Sequence, residues 1–138
     1  MPDEALFRKI DAVTIPVPDL DSGLSFYGRT LGHPLLWRND SIGQAGLRLA
    51  ESDTEIVLAT RLRYEPNWLV ASADAAAERV RAAGGKVLRE PFDIPVGRVV
   101  VVADPFGNVL ILLDMSKGHY TTDESGNVTG VAVSGDAA

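Results

Sequence analysis

The chain has no cysteine among its 138 residues. That excludes a disulfide framework, a thiolate nucleophile and a cysteine-based zinc site. Nor does any apolar run approach the roughly 20 residues needed to span a bilayer. The first residues, Met1-Pro-Asp-Glu-Ala5, are acidic and lack the basic and apolar regions of a signal peptide, so a cytoplasmic location is expected. Basic residues are in deficit, 13 against 19 acidic ones, for a net charge of −6. That balance argues against a nucleic-acid backbone as partner. It suits solubility, and equally a cationic ligand, since a charged cleft concentrates counter-ions. No serine lies in a Gly-x-Ser-x-Gly turn, and no glycine-rich stretch has phosphate-loop spacing. What remains has the composition of an ordinary globular protein, sized for one domain or two half-domains sharing a core.

What the sequence does contain is a repeat. The extended run Ala12–Pro18 leads into a helix that starts near Asp19 and ends at Leu31-Gly32. Fifty-three residues later, Glu65–Ala71 leads into a helix that ends at Gly84-Gly85, with Val17 matching Val70 and Gly32 matching Gly85. The first strand alternates Val13, Ile15 and Val17 against Ala12, Thr14 and Pro16, the period of a two-faced sheet. Asp19 or Asp21 caps the first helix, with Leu20, Leu24, Tyr27 and Leu31 as its apolar stripe. Strands follow at Leu35–Arg38, Ala45–Leu49 and Glu55–Thr60, separated by turn-rich segments. The second unit has a strand at Trp68–Ala71 and a helix at Asp74–Ala83 with Ala76, Val80 and Ala83 on its apolar face. Strands at Lys86–Glu90, Arg98–Ala103 and Val109–Asp114 complete it. Asp104-Pro-Phe-Gly-Asn108 turns the last hairpin. The boundaries expected are a first βαβββ module at 1–62, a second at 63–115, and a polar, partly ordered tail at 116–138. That tail reads either as plain disorder or, with Tyr120 and the Gly126-Asn127 turn, as a short ordered hairpin over the cleft mouth, and Gly135–Ala138 is expected to fray.

Val17-Pro-Asp-Leu-Asp-Ser-Gly-Leu-Ser-Phe-Tyr27, Leu31-Gly32, Ala83-Gly-Gly85 and Asp104-Pro-Phe-Gly-Asn108, in this order and spacing, closely resemble the vicinal oxygen chelate superfamily. This is the glyoxalase, bleomycin resistance protein and extradiol dioxygenase group, and the resemblance covers residues 10–114. It implies an α+β fold of two βαβββ modules forming a curled, half-open barrel around a shared cleft, usually in a homodimer. In the enzymes of the group a divalent metal sits in the cleft, held by His, Glu or Gln from the first and last strands of each module.

Counting from the motifs puts those ligand positions at Ala12, Val57, Glu65 (or Asn67, with a short gap) and Ile111. Three are aliphatic, and a divalent cation needs several converging oxygen or nitrogen donors. His33, in a turn, and His119, in the tail, are better read as local or surface residues. No metal and no other cofactor is therefore expected. The cleft-facing positions are then Ala12, Thr14, Glu55, Val57, Glu65, Asn67, Leu69, Ile111 and Leu113, an apolar floor carrying two carboxylates. Trp68 is out of phase with them and reads as core or dimer packing, whereas Trp37 suits stacking on a ligand as well as packing. In Pro91–Arg98, read as a stiff loop, Phe92 offers a wall and Asp93 and Arg98 offer polar anchors, or else an internal ion pair. The ligand-binding candidates are thus Thr14, Trp37, Glu55, Glu65, Asn67, Phe92 and Arg98. Two functions fit: binding a small organic molecule without catalysis, as the resistance proteins sequester antibiotics, or glyoxalase-, dioxygenase- or lyase-type catalysis. The latter requires either a metal or Glu55 and Glu65 as an acid–base pair.

Overall fold

In a computed structural model that describes residues 4–133, the chain is an α+β fold of two βαβββ modules followed by a strand pair. The expected fraying of Gly135–Ala138 lies outside the described residues. The first module runs β1 (Lys9–Pro16), α1 (Leu20–Gly23), β2 (Leu35–Asn39), β3 (Gln44–Arg48) and β4 (Glu55–Ala59). The second runs β5 (Glu65–Leu69), α2 (Ala73–Ala82), β6 (Lys86–Ile94), β7 (Gly97–Ala103) and β8 (Val109–Leu113); β9 (His119–Thr122) and β10 (Val128–Ala132) pair separately. The chain divides into two compact units. One comprises Asp11–Pro66 with Tyr120–Gly130; the other comprises Asn67–His119 with the segments ending at Ile10 and beginning at Val131. No helix among the described residues is long and apolar enough to cross a membrane.

In the first unit the strand order is β2-β3-β4-β1, with β1 parallel to β4 and the other pairs antiparallel. Strand alternation sends Ala45, Leu47, Ile56 and Leu58 to the helical side, where they form a core with Leu20 that Ile15, Val17, Leu24 and Tyr27 extend. Asp19 caps the helix, its Oδ1 accepting the Ser22 N–H at 2.7 Å. Only Leu20–Gly23 is α-helical; Leu24–Thr30 continues as a π-helix, shown by the Leu31 N–H bonding to the Phe26 carbonyl at 2.9 Å. The expected four-residue stripe therefore needs correcting. Wider π turns rotate successive side chains by less than an α-helix does, and Leu31 ends 51% exposed instead of joining the core. Gly32, at φ 84°, still ends the segment in the left-handed conformation.

The second unit orders its strands β5-β8-β7-β6, with β5 parallel to β8. Its helical side buries Val70, Val100, Val102 and Leu112 against Ala73, Ala76 and Ala77 of α2, with Trp68 and Val80 packed alongside. Ring stacking of Phe7 on Trp68, with centroids 5.0 Å apart, confirms the packing role expected of Trp68. Ser72 caps α2, its side chain accepting the Ala75 N–H, while Ala83 lies exposed rather than on the apolar face. The segment Pro91–Ile94, expected as part of a loop, instead extends β6, and only Pro95-Val96 remain to turn the hairpin between Ile94 and Gly97. Register shifts flank Arg89, and these irregularities on an edge strand accommodate Pro91, which has no N–H for a ladder.

Asp114 ties this unit together. Only 3% exposed, its carboxylate accepts the N–H groups of Ala73 (2.8 Å), Arg98 (2.9 Å) and Ser116 (3.1 Å). Burial pushes its pKa upward, but these donors outweigh burial and hold it below the ordinary carboxylate value.

Candidate functional site

The face of the first unit turned away from its helix is set by strand register. Thr14 pairs with Val57, and Val57 with Gly46; Ala12 pairs with Glu55, and Glu55 with Arg48; Trp37 lies beside Gly46. Ala12, Thr14 and Val57 form a buried floor at 3%, 1% and 9% exposure. Above it the Trp37 indole N–H donates to Glu55 Oε1 at 2.8 Å. The two residues sit on β2 and β4, with β3 between them, and the indole passes over Gly46. A methyl group at that glycine would overlap Trp37 Nε1 and come within 2.8 Å of Glu55 Oε1. Glu55 also lines a hollow of about 390 Å³ together with Leu36, Arg48, Asp53 and Thr54.

One contributor to this face comes from the tail, where the sequence allows a hairpin carrying Tyr120 but does not mark that tyrosine as a site residue. Tyr120, from the C-terminal hairpin, packs its ring on Trp37 with centroids 4.7 Å apart, and its hydroxyl accepts from Asn39 Nδ2 at 3.4 Å. Burial raises the Tyr120 pKa above its ordinary value; the Asn39 bond opposes this and the charge of Glu55 adds to it. The hairpin had a readable signal. Asp123-Glu-Ser-Gly-Asn127 repeats the pattern of Asp104-Pro-Phe-Gly-Asn108. In each, the first Asp Oδ1 accepts the N–H groups two and four residues on, and the glycine has positive φ, 89° at Gly107 and 86° at Gly126.

The other candidates fall at separate places. Glu65 opens β5, half-buried; burial pushes its pKa above the ordinary carboxyl value, partly opposed by Arg63. In the second unit Asn67 pairs with Ile111, and Phe92 with Val99 beside Leu113, all on the face turned from α2. Arg89 lies over the Phe92 ring, 3.7 Å from its centroid. Arg98 is engaged locally: its guanidinium bonds Asp93 at 3.0 Å, Asp74 at 3.2 Å and the Pro91 carbonyl at 3.1 Å, and Lys117 also reaches Asp93. This is the internal ion pair, and it braces the β6–β7 hairpin. His33 Nδ1 lies 3.1 Å from the Arg48 carbonyl oxygen, a local bond.

The residues do not fit the metal of the superfamily's enzymes. At three of the four counted positions the side chains are aliphatic, Ala12 and Val57 buried and Ile111 on β8, which leaves Glu65 or Asn67 as a single donor. The neighbouring carboxylate, Glu55, has an oxygen engaged by an indole. Among the described residues no three His, Asp or Glu side chains are grouped to hold an ion.

Comparison with known proteins agrees with this architecture. The family model described as "Glyoxalase-like domain" matches residues 12–113. A Mycobacterium tuberculosis protein named "Putative glyoxylase CFP32" is 36% identical over 104 residues, covering 70% of this chain and 39% of its own length. An uncharacterized protein of Mycolicibacterium smegmatis is 31% identical over 110 residues, covering 75% of this chain and 91% of its own. Methylmalonyl-CoA epimerase from Mycobacterium tuberculosis superposes with a TM-score of 0.64 at 24% identity, over 83% of this chain and 92% of that one. The chain belongs to the glyoxalase-like domain family of the vicinal oxygen chelate superfamily. It spans 39% of the length of the CFP32 relatives.

Proposed function

We propose that this protein binds a small organic molecule, without a metal, on the face of the first module carrying Trp37 and Glu55. The observation that carries the reading is the Trp37–Glu55 hydrogen bond, 2.8 Å long, above a buried floor of Ala12, Thr14 and Val57. An oriented carboxylate beside an aromatic face, over apolar ground, suits a planar organic ligand with a positive charge. The net charge of −6 favours such a ligand. It disfavours polyanionic acyl-CoA thioesters, the ligand class named for methylmalonyl-CoA epimerase complexes of the same fold. Thr14 belongs to the floor, and Glu65 is a secondary candidate for ligand contact; Asn67 and Phe92 are candidates on the second unit's own sheet face. Arg98 ranks below them because its guanidinium braces its own hairpin. Sequestration of a cationic natural product in a cytoplasmic homodimer is the specific form proposed.

Catalysis is the second reading, favoured by the upward pKa of half-buried Glu65. A carboxyl group shifted that way holds its proton more readily and suits general acid–base work, in a metal-free isomerase or lyase with Glu55 as its partner. A thermal-shift screen in EDTA separates the readings. The compounds are cationic natural products, dicarbonyls, thiol adducts and acyl-CoA thioesters, with turnover followed for every hit. A native-state ligand raises the melting temperature by mass action. A cationic hit without turnover supports binding, whereas turnover of a dicarbonyl or thioester supports the enzyme.

A further inference from the structure

We propose that the β9–β10 hairpin is a strap over the first module's ligand face, and that Tyr120 must leave Trp37 before a ligand reaches the indole. This rests on the reading of that face as the ligand site. The hairpin lies beyond residues 12–113, the span matched by the domain family, and pairs as a two-stranded sheet of its own. Its turn is organised from within. Asp123 Oδ1 accepts the Ser125 and Asn127 N–H groups at 2.9 and 3.0 Å, and the Thr121 and Thr129 hydroxyls bond across the pair at 2.9 Å. The hairpin therefore has the internal bonding to move as one piece.

Its polar and aromatic ties to the module run to β2, at Trp37, Arg38 and Asn39. The Arg38 N–H donates to the Gly126 carbonyl at 2.8 Å, Arg38 forms a bridge with Asn127, and Tyr120 meets Trp37 and Asn39. The last of these is long, at 3.4 Å. The strand beneath is held independently. Arg38 pairs through its side chain with Asp21 and Asp40, and β2 is laddered to β3. A two-stranded hairpin is marginal alone, so opening costs much less than unfolding the sheet. Opening is also sterically required. With ring centroids 4.7 Å apart, no planar guest fits between Trp37 and Tyr120, since stacking on both faces needs about 7 Å, twice a van der Waals contact of ~3.5 Å.

Hydrogen exchange followed by NMR on the full chain without ligand tests the strap. The Arg38 amide should exchange at least about tenfold faster than the β3 amides bonded to β4, by an opening that leaves those protected. In a Trp68→Phe background, where Trp37 is the sole tryptophan, Tyr120→Ala should at least double quenching of its emission by acrylamide. Equal exchange rates with unchanged quenching would overturn the inference and make the hairpin a fixed part of the fold. Neither readout needs a ligand, so a closed strap counts against this inference alone. A strap that opens over a face binding none of the screened compounds supports the strap and counts against the site.

Discussion

The indole N–H of Trp37 reaches across the whole width of β3 to donate to Glu55 Oε1 at 2.8 Å, and Gly46 is the residue that lets it pass. Strands β2 and β4 are separated by two ladder spacings, close to 10 Å. Only a long side chain lying flat over the middle strand spans that distance. A residue with a Cβ at position 46 would stand in its path.

Gly46→Ala should therefore disrupt the pair although it adds one methyl group. The expected loss of stability is ~1–3 kcal/mol, typical of overpacking, measured by urea denaturation. Trp37 emission should shift at the same time, since the indole loses its carboxylate partner.

The pair itself is open to a double-mutant cycle. Trp37→Phe removes the donor while keeping a ring, and Glu55→Gln removes the charge while keeping the shape. Their coupling should be about 0.5–3 kcal/mol, as for residues in direct contact. A coupling indistinguishable from zero would mean that the carboxylate gains nothing from the indole.

Asp114 governs an acid-sensitive part of stability. Its pKa is lowered in the fold, so its contribution is fully present above the unfolded carboxyl pKa of about 4 and is lost as pH falls through the lower folded value. Asp114→Asn should cost ~1.5–3 kcal/mol at pH 7, the worth of hydrogen bonds to a charged group, and should flatten part of the decline below pH 4. Part of the slope will remain, because Asp19, Asp93, Asp104 and Asp123 also have lowered pKa values.

Glu65 has the opposite sign. Burial raises its pKa, so the stability linked to its protonated form is present below the unfolded carboxyl pKa and is lost as pH rises through the folded value. Glu65→Gln should leave the protein as stable as the parent, or more so, at pH 7 by urea denaturation. If Glu65 contacts a cationic ligand, the same substitution should weaken binding by ~1–3 kcal/mol. Unchanged affinity would remove Glu65 from the site.

Much of the fold was legible because it rests on local periodicity. Alternation in Ala12–Val17 separated Ile15 and Val17, on the helical side, from Ala12 and Thr14 on the other face, and the phase of Trp68 against Asn67 put its ring on the helical side. The first helix was misread because the hydrophobic stripe alone does not distinguish α from π winding; Leu31 joins the core only in the first. The extent of β6 was missed because Pro91 reads as a loop residue unless the strand is known to lie at an edge. Thr14, Glu55 and Trp37 could be nominated from strand phase. Their assembly could not, since it depends on Gly46 between two strands and on Tyr120, distant in sequence. Tyr120 and the Gly126-Asn127 turn were local signs of that hairpin, and the repeated Asp-x-x-Gly-Asn pattern is a stronger one.

The most direct test of the ligand face uses Trp37 as its own reporter. Trp68→Phe protein in EDTA would be titrated with a cationic aromatic hit from the thermal-shift screen, with Trp37 emission followed alongside the same titration of a Trp68→Phe/Glu55→Gln variant. The account predicts a saturable change in the first protein and affinity at least about tenfold weaker in the second, a loss of ~1.4 kcal/mol. No cationic hit, a titration that leaves Trp37 unchanged, or binding that appears only when a divalent metal is restored would contradict it.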